Sequence, residues 1–321
     1  MTRKLLIDTD TASDDAVALI MALQSRDVEV LAITTVAGNV AVEQATRNAL
    51  YVVELCGSDV PVYMGAGKPL LREYVNAEWF HGKDGLGEHN YPAARRPAGP
   101  LHAVDAIIQT INENPGIVVV TLGPLTNLAL AISRYPALVQ NVSRFVIMGG
   151  NPCCEGNVTP AAEYNIYVDP EAARIVMRSG LPIELVGWHL CRGDAVLNPQ
   201  DIEHVLNLGT PLAKFAVECN SIAMEALRVQ TGEFGICLPD PVAMSIALDP
   251  GVCNSASEHL VDVEAGSELT RGMTLVDRLD VGGDERNRDV WRGVKRVKVC
   301  WTIDVPQWKR ALIDALSSRG L

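Results

Sequence analysis

Long apolar runs are missing from this chain. No stretch approaches the roughly 18 consecutive apolar residues of a membrane span, and the sequence offers eight at most, over 16–23. Clustered positive charge is missing too. Lys and Arg total 27 against 39 Asp and Glu, a formal net charge of -12, which argues against a nucleic-acid or anionic-membrane surface. The basic stretch of Arg286, Arg288, Arg292, Lys295, Arg296 and Lys298 is interleaved with acids and apolar residues, and reads as a solvated strand face or loop. The eight cysteines form no CxxC pair and no framework spacing, so reduced thiols in a cytoplasmic protein are expected. Met-Thr-Arg-Lys leads directly into an apolar strand pattern, with none of the apolar core of a secretory leader. No Pro/Gly/Ser-rich linker and no internal repeat divides the chain.

What is present is alternation. Strand-length apolar runs fall at 4–9, 28–36, 61–66, 116–123, 144–150 and 182–188. Between them, helical spacing covers 14–25, 41–57, 102–114, 125–134 and 170–180. This predicts an α/β fold: one large Rossmann-like domain over 1–321, with a mostly parallel central sheet and helices on both faces. The irregular stretches 67–100 and 277–293 are the expected loop insertions, candidates for mobile loops over a site. Ligands of open α/β sheets bind beyond the carboxyl ends of the strands, and polar clusters follow the runs ending near 9, 36, 122 and 150.

The first cluster is the densest. In "LLIDTDTASDD", Asp8, Asp10, Asp14 and Asp15 occupy four of eight positions. Helix capping accounts for one or two acids at a helix start, not for four. Asp8 and Asp10 alternate along an extended strand end and so point to opposite sides, which lets Asp10 share a pocket with Asp15 while Asp8 turns elsewhere. Clustered carboxylates suit Ca²⁺ or Mg²⁺ rather than zinc. "DTDT" also fits the DxDxT pattern of Mg²⁺-dependent phosphatases, in which the first Asp is a nucleophile. That short pattern leaves Asp14 and Asp15 unexplained.

A longer, collinear pattern resembles the nucleoside hydrolase family of the inosine-uridine preferring type. Its DxDxxxDD element is matched by Asp8, Asp10, Asp14 and Asp15; "TTVAGNV" carries Asn39, and "HGKDGLG" carries His81. "LGPLTNLALA" carries Thr126, and "MGGNPCCEGNVTPAAEYNIYVDPEAA" carries Asn157, Glu163 and Asn165. "LPDPVAM" supplies the late Asp240, and "TRGMTLVD" matches a further element. The resemblance implies hydrolysis of the N-glycosidic bond of ribonucleosides through an oxocarbenium-like ribosyl group. It implies a Ca²⁺ held by Asp10, Asp15, Asp240 and the Thr126 carbonyl, with Asp10 accepting the proton of the attacking water. Asp14, Asn39, Asn157, Glu163 and Asn165 are implied as ribose contacts, and the assembly as a homodimer or homotetramer. Asp169, in "VDPEAA", reads instead as a helix N-cap.

The sequence departs from the family at the base end. Many relatives have a histidine immediately before the late aspartate; here Pro239 stands there, and its side chain has no proton to give. "VGWHLCRGD" replaces another family stretch, making His189 a candidate proton donor and Trp188 a candidate stacking partner beside Trp79. His81 is a candidate loop contact. Glu225, Arg228 and Gln230, in "SIAMEALRVQTGEFG", are candidates to hydrogen-bond a base. A ribosyl-binding relative retuned for another N-ribosyl compound is the alternative that Pro239 suggests.

Overall fold

Neighbouring residues of the central strands face opposite ways, and each way lies a separate apolar core. The computed structural model, which describes residues 2–318, has nine strands. In chain order they are β1 (Arg3–Thr9), β2 (Val28–Thr35), β3 (Val62–Met64), β4 (Ile117–Thr121), β5 (Val142–Met148), β6 (Ile183–Val186), β7 (Cys253–Val263), β8 (Thr274–Asp277) and β9 (Lys295–Ile303). They form one sheet in the order β3-β2-β1-β4-β5-β6-β9-β7-β8. All pairings from β3 across to β9 are parallel, and β7 runs antiparallel to both β9 and β8. The mostly parallel α/β sheet expected from the alternation is the observed one.

Leu5, Ile7, Val118, Val120, Val146 and Met148 enter one core, against helices Ser13–Gln24, Val42–Leu55, Pro239–Leu248 and Val305–Leu316. Leu6, Val119, Phe145 and Ile147 enter the other, against helices Ala103–Glu113, Thr126–Arg134 and Pro170–Met177. Burial on both faces explains why β4 (IVVVT) is an unbroken apolar run rather than an alternating one. Helix Ser13–Gln24 is buried from Ser13 through Ala22, because neighbouring helices cover the side that the sheet does not.

The chain winds outward from β1 to β2 and β3, then crosses to β4 on the other side of β1. That reversal opens a crevice beyond the carboxyl ends of β1 and β4, where such sheets take ligands. The segments leaving the two neighbours of β1 stay close to it: Leu122 N–H donates to Asp8 O at 2.8 Å and Val36 N–H to Thr9 O at 3.0 Å.

Two expectations are corrected in detail. The strands expected at 61–66 and 116–123 stop at Met64 and Thr121, because glycine-containing turns follow them. The stretch 67–100 holds a short helix, Glu78–His81. The stretch 277–293 contributes no residue to the cavity described below, and the Asp277 carboxylate accepts N–H bonds from Val281 and Gly282 within it at 2.9 and 2.6 Å. Among the described residues, no helix is long and apolar enough to cross a membrane, and all eight cysteines are free.

Candidate active site

The aspartates separate as strand alternation requires. Asp8 turns away from the crevice, where its Oδ1 accepts from Thr34 Oγ1 at 2.5 Å and Asn127 Nδ2 at 2.9 Å. It is fully buried, and desolvation pushes its pKa up to about 7 against those two hydrogen bonds. Its Oδ1 is committed to Thr34 on β2 and to Asn127 on helix Thr126–Arg134 rather than to the crevice, so the phosphatase reading of "DTDT" loses its central residue.

Asp10 lies at the floor of the crevice, between the chain leaving β2 and the chain leaving β4. A Cβ on Gly38 would overlap its Oδ2, and one on Gly123 would sit 2.6 Å from its Oδ1. Only glycine lets both backbones approach this side chain. Oδ2 accepts the Asn39 N–H at 2.6 Å, while Oδ1 is buried with no partner.

Asp14 and Asp15 stand on the first turn of helix Ser13–Gln24. Asp15 is pinned: Oδ1 accepts from Thr9 Oγ1 at 2.5 Å, and Oδ2 accepts the Ala12 N–H at 2.9 Å, closing the helix start. Asp14 keeps a buried, unpartnered Oδ1, 3.9 Å from His81 Nδ1. Asp240 arrives on the first turn of helix Pro239–Leu248, which packs on helix Ser13–Gln24. One carboxylate oxygen from each of Asp14, Asp15 and Asp240 lies within 4.8 Å of the others.

Desolvation drives the carboxyls of Asp10, Asp14, Asp15 and Asp240 up; acidic neighbours drive Asp10, Asp14 and Asp240 further, while hydrogen bonds hold Asp15 back. Asp14 is raised to about 8 by burial and then by Asp15; Asp10 and Asp240 are raised well above the ordinary carboxylate range, by burial first and their acidic neighbours next. Among the described residues, no Lys or Arg pairs with any of them. Converging hard oxygens, two of them orphaned, fit a divalent cation. Thr126 opens the helix after β4, its side chain hydroxyl donating to Asp169 at 2.7 Å. Asp169 also caps helix Pro170–Met177 by accepting the Ala172 N–H at 3.0 Å, as its sequence context suggested.

Above the acids opens a cavity of about 800 Å³, its mouth included, walled by Asp14, Asn39, Asn157, Glu163, Asn165 and Asp240 among others. Glu163 is fixed from several sides. Its Oε2 accepts the Gly150 N–H at 2.7 Å and its Oε1 the Asn165 N–H at 2.9 Å. Asn165 Nδ2 donates to Leu122 O at 2.7 Å, and Asn157 Oδ1 accepts the Tyr164 N–H at 2.9 Å. The amide and carboxylate wall is therefore locked before any ligand arrives.

Trp79, His81, Trp188 and Gln230 also line the cavity. The other base-end candidates do not. Glu225 and Arg228 pair with each other in solvent on helix Ser221–Thr231, an i,i+3 contact. His189 follows β6 and lies against β9, with Nε2 3.2 Å from Cys300 O. Motif reading passed over Tyr164, Phe80, Val75 and Met148, which line the same cavity. Tyr164 sits between two quoted site residues, and its hydroxyl lies 2.9 Å from the carbonyls of both Gly38 and Val75, tying the 67–100 stretch to the floor. An apolar wall residue has no motif signal of its own.

A sequence model of the inosine-uridine preferring nucleoside hydrolases matches residues 5–310. The chain belongs to that family. A pyrimidine-specific ribonucleoside hydrolase of a Shewanella species is 38% identical over 299 residues, covering 92% of this chain and 93% of the relative. Among solved structures, a plant nucleoside hydrolase superposes with a TM-score of 0.92 at 35% identity, over 99% of this chain and 100% of its own. A purine-preferring ribonucleoside hydrolase from Gardnerella vaginalis gives 0.88 at 30%, over 98% of each chain. As a nucleoside hydrolase family member over nearly its full length, this chain is placed outside the DxDxT phosphatases by family as well as by the orientation of Asp8.

Proposed function

We propose that the protein is a calcium-dependent N-ribohydrolase that cleaves ribonucleosides to ribose and free base. The observation that carries this reading is the convergence of Asp14, Asp15 and Asp240, with Asp10 in electrostatic contact with them, at a cavity walled by fixed amides and carboxylates, with no basic partner among the described residues. The relatives' names as ribonucleoside hydrolases support it.

Asp10, Asp15, Asp240 and the Thr126 backbone carbonyl would hold the cation. Calcium, when bound, supplies Lewis-acid polarisation of water and of the ribose hydroxyls. Asp10 takes the proton of the attacking water; the Asn39 N–H fixes its Oδ2, leaving Oδ1 to do so. Asp14, Asn39, Asn157, Glu163 and Asn165 bind the sugar and hold the anomeric carbon over the water. Positive charge developing on the ribosyl ring is stabilised by the acids below it. The nucleoside is the small-molecule partner that this reading requires.

The test is incubation of the calcium-loaded protein with a panel of purine and pyrimidine ribonucleosides. Ribose and free base should appear in equal amounts for at least one of them. Binding in calorimetry with no ribose from any nucleoside would favour the retuned ribosyl-binding reading instead, which rests on Pro239.

A further inference from the structure

Cleavage of an N-riboside needs something to accept the electron pair of the departing base, and the wall near Asp240 has few groups that could help. Pro239 lines the cavity without a side-chain proton. His81 is the one histidine on the wall among the described residues, and its Nδ1 is engaged with Ser13 Oγ at 2.8 Å, on the side of Asp14. Cys237 Sγ donates to Cys191 O at 3.3 Å, and the Gln230 amide donates to the Asn157 carbonyl.

Trp188 differs from all of these. It is only 4% exposed, lines the cavity, and has a buried indole Nε1–H with no acceptor in the protein. Its segment, Trp188–Cys191, packs on helix Pro239–Leu248, and Trp188 shares the cavity wall with Pro239. The Arg192 guanidinium lies 5.4 Å from the centroid of its ring, and a cation over an indole draws charge from it and strengthens the N–H as a donor. A buried donor with no partner is costly unless a ligand satisfies it.

We propose that the Trp188 indole N–H is the hydrogen-bond donor to the departing base, which leaves as an anion held by that bond and is not protonated by a side chain. The inference rests on the N-ribohydrolase reading and specifies its substrate class. The bond between the anomeric carbon and the glycosidic nitrogen breaks with both electrons going to the base. Water adds to the anomeric carbon and gives its proton to Asp10, which passes it to solvent, and the released base anion takes a proton from solvent. Such a departure suits a base that spreads negative charge onto a carbonyl beside its glycosidic nitrogen and onto a second carbonyl, the pyrimidine-dione or uracil class. A cytosine-type base, a poorer anion, is disfavoured.

The experiment compares wild type with Trp188→Phe, calcium-loaded, on 5-methyluridine, uridine, 5-fluorouridine and 4-nitrophenyl riboside. The variant keeps an aromatic wall and removes the donor. A hydrogen bond to a charged group corresponds to a loss of about 10- to 100-fold in kcat/KM on uridine. The loss should shrink on 5-fluorouridine, whose base is the better anion, and nearly vanish on the nitrophenyl riboside, whose charge lies elsewhere. An equal loss on all four, or none on uridine, would overturn the proposal. If the variant fails to fold, the wild-type series decides: rates should rise from 5-methyluridine to 5-fluorouridine, and a flat or reversed order would mean that protonation drives departure. No ribose or nitrophenol from any substrate with wild type would sink the hydrolase reading and this inference together. Ribose release unaffected by Trp188→Phe would sink the inference alone.

Discussion

Asp10→Asn lowers kcat on the preferred ribonucleoside by about 10³-fold, within the range attributed to a positioned general base. Asparagine keeps the shape of the side chain and can still accept the Asn39 N–H, but it cannot take a proton from water. The same substitution should not destabilise the metal-free protein, and it should stabilise it at alkaline pH. The folded-state pKa of Asp10 is raised well above its ordinary value, by burial first and by Asp15 next. A carboxyl raised in this way favours the folded state below its unfolded pKa of about 4, and that contribution is lost as pH rises through the folded value. Asp14, raised to about 8, follows the same course. Stability of the metal-free wild type therefore falls between roughly pH 4 and pH 8, and Asp10→Asn removes one of the contributing charges. Thermal unfolding at pH 5 and pH 8 checks the sign: the variant's advantage must grow with pH. A variant that unfolds early at both values would mean that Asp10 is structural.

A 2′-deoxyribonucleoside is cleaved roughly 10³- to 10⁴-fold less efficiently than its ribonucleoside, measured as kcat/KM on the same base. In water the order is the reverse, because losing an electron-withdrawing hydroxyl eases formation of the cationic ribosyl group. Discrimination against the deoxy sugar must then come from the site. Asp14 Oδ1 is buried with no partner, and Asn39 shares its wall. A site built to hydrogen-bond a hydroxyl leaves its own polar groups unpaired when the hydroxyl is gone, a penalty of about 10⁴- to 10⁵-fold that the easier departure from the deoxy sugar partly offsets. A ratio near one would mean that these groups do not bind the sugar.

The sheet was legible from sequence wherever both faces of a strand are buried. β1, β4 and β5 read as continuous apolar runs because each supplies two cores at once. β7 was not legible: Asn254 through Glu258 are exposed, so no apolar pattern marks that half, and its place is set by pairing with β9. The carboxylates were legible because four acids in eight residues have no inexpensive structural explanation. Alternation along β1 also predicted that Asp8 and Asp10 would diverge, and they do. The base end was not. Glu225 and Arg228 looked like polar wall residues, but helical spacing turned them toward each other in solvent. Trp188 looked like a stacking surface, and its distinguishing feature, an N–H without an acceptor, belongs to the folded environment alone.

The central claim is that the acidic floor holds a calcium ion on which cleavage depends. Ribose release from uridine, followed in exhaustively chelated protein against increasing free calcium, tests it most directly. The account predicts turnover at background without calcium and saturable recovery with the stoichiometry of one ion per chain. Full turnover in the chelated protein, unchanged by added calcium, would contradict it.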